Sequence, residues 1–157
     1  GKHQRVEAPL IINDVIESSL ALFKVRVRTI QKQYGTVPNI SGDIQDLQIL
    51  FINLFKNAIE SMQENSFNNT ISIQTGFNSE THEIEVHISD TGGGIDDHTI
   101  SSLLDGKGVT TKEIGAGIGL STVKRIMDDH HGRLDIKSQI GTGTTFSLYF
   151  QALSDST

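Results

Sequence analysis

The spacing of apolar and polar residues divides the chain into helical and extended stretches. Apolar side chains that recur every three to four positions predict helices at about residues 10–27, 43–64, 96–104 and 118–129. Alternation of apolar and polar residues, which is typical of half-buried strands, predicts strands at about residues 71–77, 84–90, 133–138 and 144–151, and a looser alternation predicts a short one at 28–34. Residues 105–119 fit neither pattern, because they contain five glycines and few large apolar groups.

The order of these elements is αβαββ, the glycine-rich segment, then αββ. The strands and the three main helices can bury their apolar faces together if the helices pack on one face of a single sheet. We therefore expect an α/β fold, more specifically an α+β sandwich, with a mixed and mostly antiparallel sheet. Residues 1–157 are expected to form one domain.

Charge and composition narrow the range of partners. A net charge of −6 disfavours a nucleic-acid or anionic-membrane surface, so we expect neither nucleic-acid binding nor direct membrane contact. The sequence has no cysteine, which excludes disulfides and thiol chemistry and is compatible with the cytoplasm. It also has no apolar run near the ~20 residues that a membrane span needs.

The strand that ends at Asp90 presents a carboxylate to the core. Ile84, Val86, Ile88 and Asp90 alternate along it and so share one face. A buried carboxylate costs several kcal/mol unless it finds a hydrogen-bonding partner, and three glycines follow it after Thr91. A ligand approaching the glycine backbone could supply that partner, although an ordinary Asp-Gly turn is the competing interpretation.

Two further stretches could contact a nucleotide. On the long helix, Asn53, Asn57 and Glu60 lie opposite the apolar stripe, where an amide oxygen could ligate Mg²⁺; a solvated polar face is the alternative. The segment Gly115–Leu120 leads directly into a helix, whose N-terminus attracts phosphate. Its spacing fits neither a dinucleotide-binding nor a P-loop motif, and a flexible loop is the alternative.

A fourth stretch, Gly141–Phe146, contains Thr144, which by strand alternation faces the core together with Phe146. A simple hairpin turn is the alternative interpretation. In order and spacing, the four stretches together resemble the boxes of the sensor histidine kinases. Asn53–Ser61 resembles the N box, Asp90–Ile95 and Gly115–Leu120 the two glycine boxes, and Gly141–Phe146 the final G-x-G-T-x-F segment. The resemblance covers about residues 6–151 and extends to DNA gyrase, the ninety-kilodalton heat-shock chaperones and MutL.

The resemblance implies that ATP binds between the long helix and a flexible lid at about residues 105–119. Asn57 would ligate Mg²⁺ and act in catalysis with Lys112, which would contact the terminal phosphate. Asp90 would accept the adenine amine, and Thr144 would support the base through a water. Gly92 and Gly94 would let the base approach, Ile95 would pack on it, and Gly117 and Gly119 would donate to the phosphates. The other matching positions are Asn53, Lys56, Thr111, Gly115, Ile118 and Leu120.

Three departures from the family pattern stand out. The lid has no phenylalanine before Thr110-Thr111-Lys112, and the common H-G-G segment reads His130-His131-Gly132, in which we interpret both histidines as structural or surface groups. No stretch resembles the H box that bears the phosphoacceptor histidine. We therefore expect the dimerisation and phosphoacceptor domain to lie outside this chain.

The residue at position 53 distinguishes a predicted kinase from an ATP-hydrolysing enzyme. Superfamily members that hydrolyse ATP carry a glutamate base four residues before the metal-binding asparagine, whereas an amide such as Asn53 cannot act as a base. The predicted function is therefore the catalytic domain of a two-component sensor histidine kinase, with a response regulator as indirect partner and a parent protein that could be anchored in the inner membrane. A serine kinase of the anti-sigma-factor type and a non-catalytic nucleotide-sensing module are the alternatives.

Overall fold

The computed structural model describes residues 5–23, 29–62, 69–105 and 117–154. The strands are β1 (Ala8–Leu10), β2 (Thr29–Tyr34), β3 (Ile40–Gly42), β4 (Thr70–Asn78), β5 (Glu83–Asp90), β6 (Arg133–Gln139) and β7 (Gly143–Gln151). The α-helices are α1 (Ile12–Leu20), α2 (Ile44–Ser61), α3 (Asp97–Leu104) and α4 (Gly117–Asp129). None of these described helices is both long enough and apolar enough to cross a membrane.

Five strands form one sheet in the order β2-β4-β5-β7-β6. The β2–β4 pair is parallel and the other three pairs are antiparallel. The central strand β5 alternates strictly between buried and half-buried residues, so one face of the sheet is covered by helices. The predicted fold class, a mixed and mostly antiparallel sheet with helices on one face, is confirmed.

The core lies between this sheet and α2. Phe51 and Phe55 of α2 and Phe146 and Phe150 of β7 are its largest fully buried side chains. Helix α2 packs between α1 and α4, which explains why its apolar stripe is broad. Burial of this α2 face fixes the position of the polar residues that the same helix carries.

A second, two-stranded sheet pairs β1 with β3 and was not predicted. Each strand has only three residues, too few to produce a recognisable alternation. The predicted first helix is therefore wrong at its start, because Leu10 pairs with Ile40 in this small sheet. The α-helix runs only from Ile12 to Leu20 and continues as a 3₁₀ turn over Ala21–Phe23.

Helix α2 begins where the sequence predicted and ends earlier. Asp43 is its N-cap, and its carboxylate accepts a hydrogen bond from the Asp46 amide at 3.0 Å. The helix ends at Ser61 rather than at Glu64, because Met62 has extended backbone and donates to Ile59 O at 3.3 Å. The Met62 side chain then turns into the core.

Candidate functional site

The Asp90 carboxylate lies at the end of the central strand with only 7% of the residue exposed. Its neighbours on the two adjacent strands are Ile71 and Thr144. Asp90 Oδ1 accepts a hydrogen bond from Gly92 N at 2.8 Å and lies 3.4 Å from the donor Ser61 Oγ. Burial raises the pKa of Asp90 above its ordinary value, and hydrogen bonds from Gly92, Ser61 and the Thr144 backbone offset part of the rise. The inward orientation predicted from strand alternation is confirmed.

The three glycines after Asp90 are held from two sides. Gly93 N donates to Ser61 O at 3.1 Å, and Gly93 O accepts from Gly141 N at 2.9 Å. Gly94 has a φ of +85°, and a Cβ there would come within 2.6 Å of Gln139 O. The loop is therefore fixed between the end of α2 and the β6–β7 turn.

Ile95 and Thr144 are connected through a serine that the sequence analysis did not identify. Ile95 N donates to Ser138 Oγ at 2.7 Å, and Ser138 Oγ lies 2.8 Å from Thr144 Oγ1. Thr144 is buried, as predicted from its position on the strand. Beside it, Gly143 has a φ of +146°, and a Cβ there would overlap the carbonyl oxygen of Asp90. The Ser138 and Thr144 hydroxyls therefore form a hydrogen-bonded pair beside the strand end that carries Asp90.

Helix α2 presents its two asparagines differently. Asn57 is only 9% exposed, and among the described residues its side-chain amide has no hydrogen-bond partner. Asn53 is half-buried, and its Oδ1 lies 3.1 Å from where a Cβ on Gly119 would stand. Lys56 and Glu60 are exposed. The α2 face that carries the asparagines therefore meets the first turn of α4.

The donor chemistry of this region suits a magnesium–phosphate group. An amide oxygen that makes no hydrogen bond within the described part of the chain is a ligand that Mg²⁺ accepts, which fits the largely buried Asn57. The first turn of α4 begins at Gly117 and carries no acidic residue, so its dipole favours an anion. Leu120 in the same turn is buried. Asn53 of α2 and Gly119 of α4, both predicted to bind the nucleotide, are therefore neighbours.

The structure leaves some predicted positions undescribed. Thr111, Lys112 and Gly115 lie outside the described residues, as does most of the predicted lid, and the Ile118 side chain is likewise not described. The two histidines after α4 are structural and surface groups, as expected: His130 is buried and His131 is exposed.

The sequence analysis missed two residues that contact the predicted site residues, Ser61 and Ser138. Ser61 carried a usable signal, because it follows Asn57 by four positions and so lies on the same helical face. Ser138 carried none, since only the pairing of β6 with β7 brings it to Thr144.

Comparison with known proteins identifies relatives that are named as sensor proteins and kinases. The chain is 31% identical to sensor protein FixL of Bradyrhizobium diazoefficiens, over 97% of this chain and 30% of that protein. It is 34% identical to sporulation kinase C of Bacillus subtilis, over 74% of this chain and 26% of that protein. The chain thus spans less than a third of these curated relatives.

Solved structures share the fold. The catalytic domain of histidine kinase ThkA, in a nucleotide-free form, matches with a TM-score of 0.76 over 93% of this chain and 95% of that one, at 22% identity. Full-length ShkA in complex with AMPPNP matches with a TM-score of 0.78 over 100% of this chain and 33% of that one, at 18% identity. A family model matches residues 42–154. The chain therefore belongs to the family of histidine kinase-, DNA gyrase B- and HSP90-like ATPases, which bind ATP.

Proposed function

We propose that this chain binds ATP with Mg²⁺ and delivers the γ-phosphoryl group to a histidine on a separate domain. Its direct partner would be a dimerisation and phosphoacceptor domain, and a response regulator would receive the phosphoryl group afterwards. Use of ATP would place the domain in the cytoplasm. The relatives named as sensor proteins and kinases support this proposal, as does the AMPPNP bound to ShkA.

The observation that carries the proposal is the amide at position 53. Asn53 occupies the helical turn before Asn57 and faces Gly119 at the start of α4. At neutral pH an amide cannot remove a proton from water, so this position lacks a general base for hydrolysis. Transfer to a positioned acceptor needs alignment and charge stabilisation more than a base for water, and phosphotransfer is the activity that tolerates Asn53 best.

Each group would contribute binding or orientation. Asp90 would accept the exocyclic amine of adenine, and the amide oxygen of Asn57 would hold the metal ion. When bound, Mg²⁺ neutralises charge on the phosphates. The backbone N–H groups at the start of α4 would bind phosphate oxygens, and Lys112 would contact the terminal one. The acceptor histidine would then attack in line with the leaving β-phosphate oxygen.

The proposal can be tested on the parent protein that contains this chain. Calorimetry with AMPPNP measures binding, and incubation with γ-labelled ATP measures transfer. We expect label in the protein that is lost in acid and stable in alkali, as a phosphohistidine would be. Acid-stable label would indicate the serine kinase, and binding without label would indicate the nucleotide-sensing module.

Two substitutions test the assigned residues in the same assays. Asn57→Asp replaces a neutral metal ligand by a charge among phosphates, and Asp90→Asn replaces the acceptor of the adenine amine, so we expect both to abolish nucleotide binding. The matched control is Asn78→Asp at the end of β4, where the side-chain oxygen accepts from the Glu80 and Thr81 amides and the side-chain nitrogen donates to Glu85. Retained affinity for an adenine nucleotide in either site variant would contradict the assignment.

A further inference from the structure

Ser61 is the last residue of α2 and lies one turn beyond Asn57. Its hydroxyl lies 2.9 Å from Ala58 O and 3.4 Å from Asp90 Oδ1. Its backbone carbonyl accepts from Gly93 N at 3.1 Å. One residue thus contacts both the buried carboxylate and the loop that follows it.

The Ser61 hydroxyl contacts the same Asp90 oxygen that accepts a hydrogen bond from the Gly92 backbone. Asp90 Oδ1 accepts from Gly92 N at 2.8 Å, and Ser61 approaches that same oxygen from α2. The single hydroxyl proton of Ser61 is shared between Ala58 O at 2.9 Å and Asp90 Oδ1 at 3.4 Å, so Gly92 N is the stronger donor to Oδ1 and Ser61 the weaker one. Together the two contacts restrict rotation of the carboxylate about its Cβ–Cγ bond. Such restriction aims a carboxylate at one ligand group, which is how a rigid site gains specificity.

Ser61 also explains why position 92 is glycine. A Cβ on Gly92 would overlap the Ser61 hydroxyl and come within 2.8 Å of Ser61 Cβ. The space above Gly92 is therefore filled by a protein side chain. This internal reason for the glycine is independent of any bound base.

We propose that Ser61 is a positioning residue for adenine recognition: its hydroxyl fixes the Asp90 carboxylate and its side chain seats the glycine loop at Gly92. The inference rests on the proposed binding of ATP at Asp90. Selection of a purine with an exocyclic amine would then depend on the C-terminal end of α2, the helix that also carries Asn57.

Nucleotide selectivity tests the hydroxyl. Inosine triphosphate (ITP) has a carbonyl where ATP has the amine, so it offers Asp90 no exocyclic donor and has only the ring N1–H on that edge of the base. We expect Ser61→Ala to weaken ATP binding about threefold, because the hydrogen bond lost at Asp90 is long and its proton is shared with Ala58 O. ITP affinity should not change measurably, so the ATP:ITP preference should fall about threefold.

The matched control is Ser18→Ala on α1. Ser18 makes the same kind of bond, to Val15 O at 3.0 Å, and lies on a different helix. Ser18→Ala should leave the ATP:ITP preference unchanged. Equal losses for both nucleotides in Ser61→Ala, or no loss, would overturn the inference while leaving ATP binding intact. A wild-type protein that does not bind ATP would instead overturn the proposed function.

Stability without nucleotide tests the seating of the loop. Gly92→Ala should lower the melting temperature, and adding Ser61→Gly should recover at least half of that loss, because it removes the two nearest atoms that the new methyl meets and leaves Asp90 Oδ1, at 2.9 Å, as the nearest one. Gly94→Ala is the control: its Cβ would meet Gln139 and Ile140 backbone, so Ser61→Gly should not rescue it. Failure of Ser61→Gly to rescue Gly92→Ala would refute this part of the inference.

Discussion

At the scale of single residues, the burial of Asp90 costs stability. Its carboxylate is buried at the end of the central strand, and burial is the largest influence on its pKa. The donors around it offset only part of that rise. A buried carboxylate lowers the stability of the fold, but it is a good hydrogen-bond acceptor for a ligand. Such a trade-off between stability and binding is expected at a binding site.

We predict that Asp90→Asn stabilises the protein without nucleotide at pH 7. The native pKa lies above the ordinary 3.8, so the folded state binds protons more readily and the wild type loses stability as pH rises from 3.8 through the native pKa. Asparagine keeps an oxygen for Gly92 and removes the buried charge. We expect a melting temperature about 2–4 °C higher, the shift that ~1 kcal/mol produces at this size.

Thermal unfolding between pH 3 and pH 8 measures this effect. The gain should shrink as the pH approaches 3, where the wild-type carboxyl is protonated as well. Glu80→Gln in the exposed β4–β5 turn is the control and should shift the melting temperature by less than 1 °C at any pH. A lower melting temperature for Asp90→Asn at pH 7 would show that the charge stabilises the fold.

At the scale of elements, α4 ends in a left-handed turn formed by a non-glycine residue. His131 has a φ of +57°. Gly132 N donates to Met127 O at 2.9 Å and His131 N donates to Asp128 O at 3.0 Å, the two bonds of a Schellman motif. Histidine tolerates this conformation better than most residues, but glycine has no Cβ penalty there.

We predict that His131→Gly stabilises the protein by about 0.5–1 kcal/mol, because it relieves that penalty. His131→Val should destabilise by ~1 kcal/mol or more, since a β-branched residue is disfavoured at positive φ. Urea unfolding measures both. The control Arg125→Gly lies within α4, where glycine should cost ~1 kcal/mol. Destabilisation by His131→Gly would mean that the histidine ring contributes more than its backbone costs.

At the scale of the whole molecule, His130 joins parts of the chain that are far apart in sequence. Its Nε2 accepts from Asp43 N at 3.1 Å, and its Nδ1 lies 2.8 Å from Ile126 O. These partners require a neutral ring with the proton on Nδ1. Asp43 in turn accepts from Val6 N at 2.7 Å. The end of α4, the start of α2 and the N-terminal segment are therefore fixed together.

We predict that His130→Ala lowers the free energy of unfolding by about 2–3 kcal/mol, because it leaves a buried cavity and an unpaired amide at Asp43. Urea unfolding measures the change. His98→Ala on the exposed side of α3 is the control and should change stability by less than ~0.5 kcal/mol. An equally small effect for His130→Ala would show that the three segments are held by apolar packing alone.

The sequence by itself determined the features that depend on local periodicity. Strand alternation placed Asp90 toward the core, and helical spacing placed Asn53 and Asn57 on one face of α2, because side-chain direction follows directly from backbone repeat. The same periodicity, with the order of the boxes, gave the helices, the five-stranded sheet and the family. Helix ends and three-residue strands were predicted poorly, since too few residues carry the signal.

Only the tertiary structure decided which residues meet. Ser61 reaches Asp90 across 29 positions, and His130 reaches Asp43 across 87. The parallel pairing of β2 with β4 and the close fit of Gly92 against Ser61 are likewise invisible in either segment alone. Such contacts depend on how whole elements pack. A serine at a helix end or a glycine in a loop therefore has no readable role until its neighbours are known.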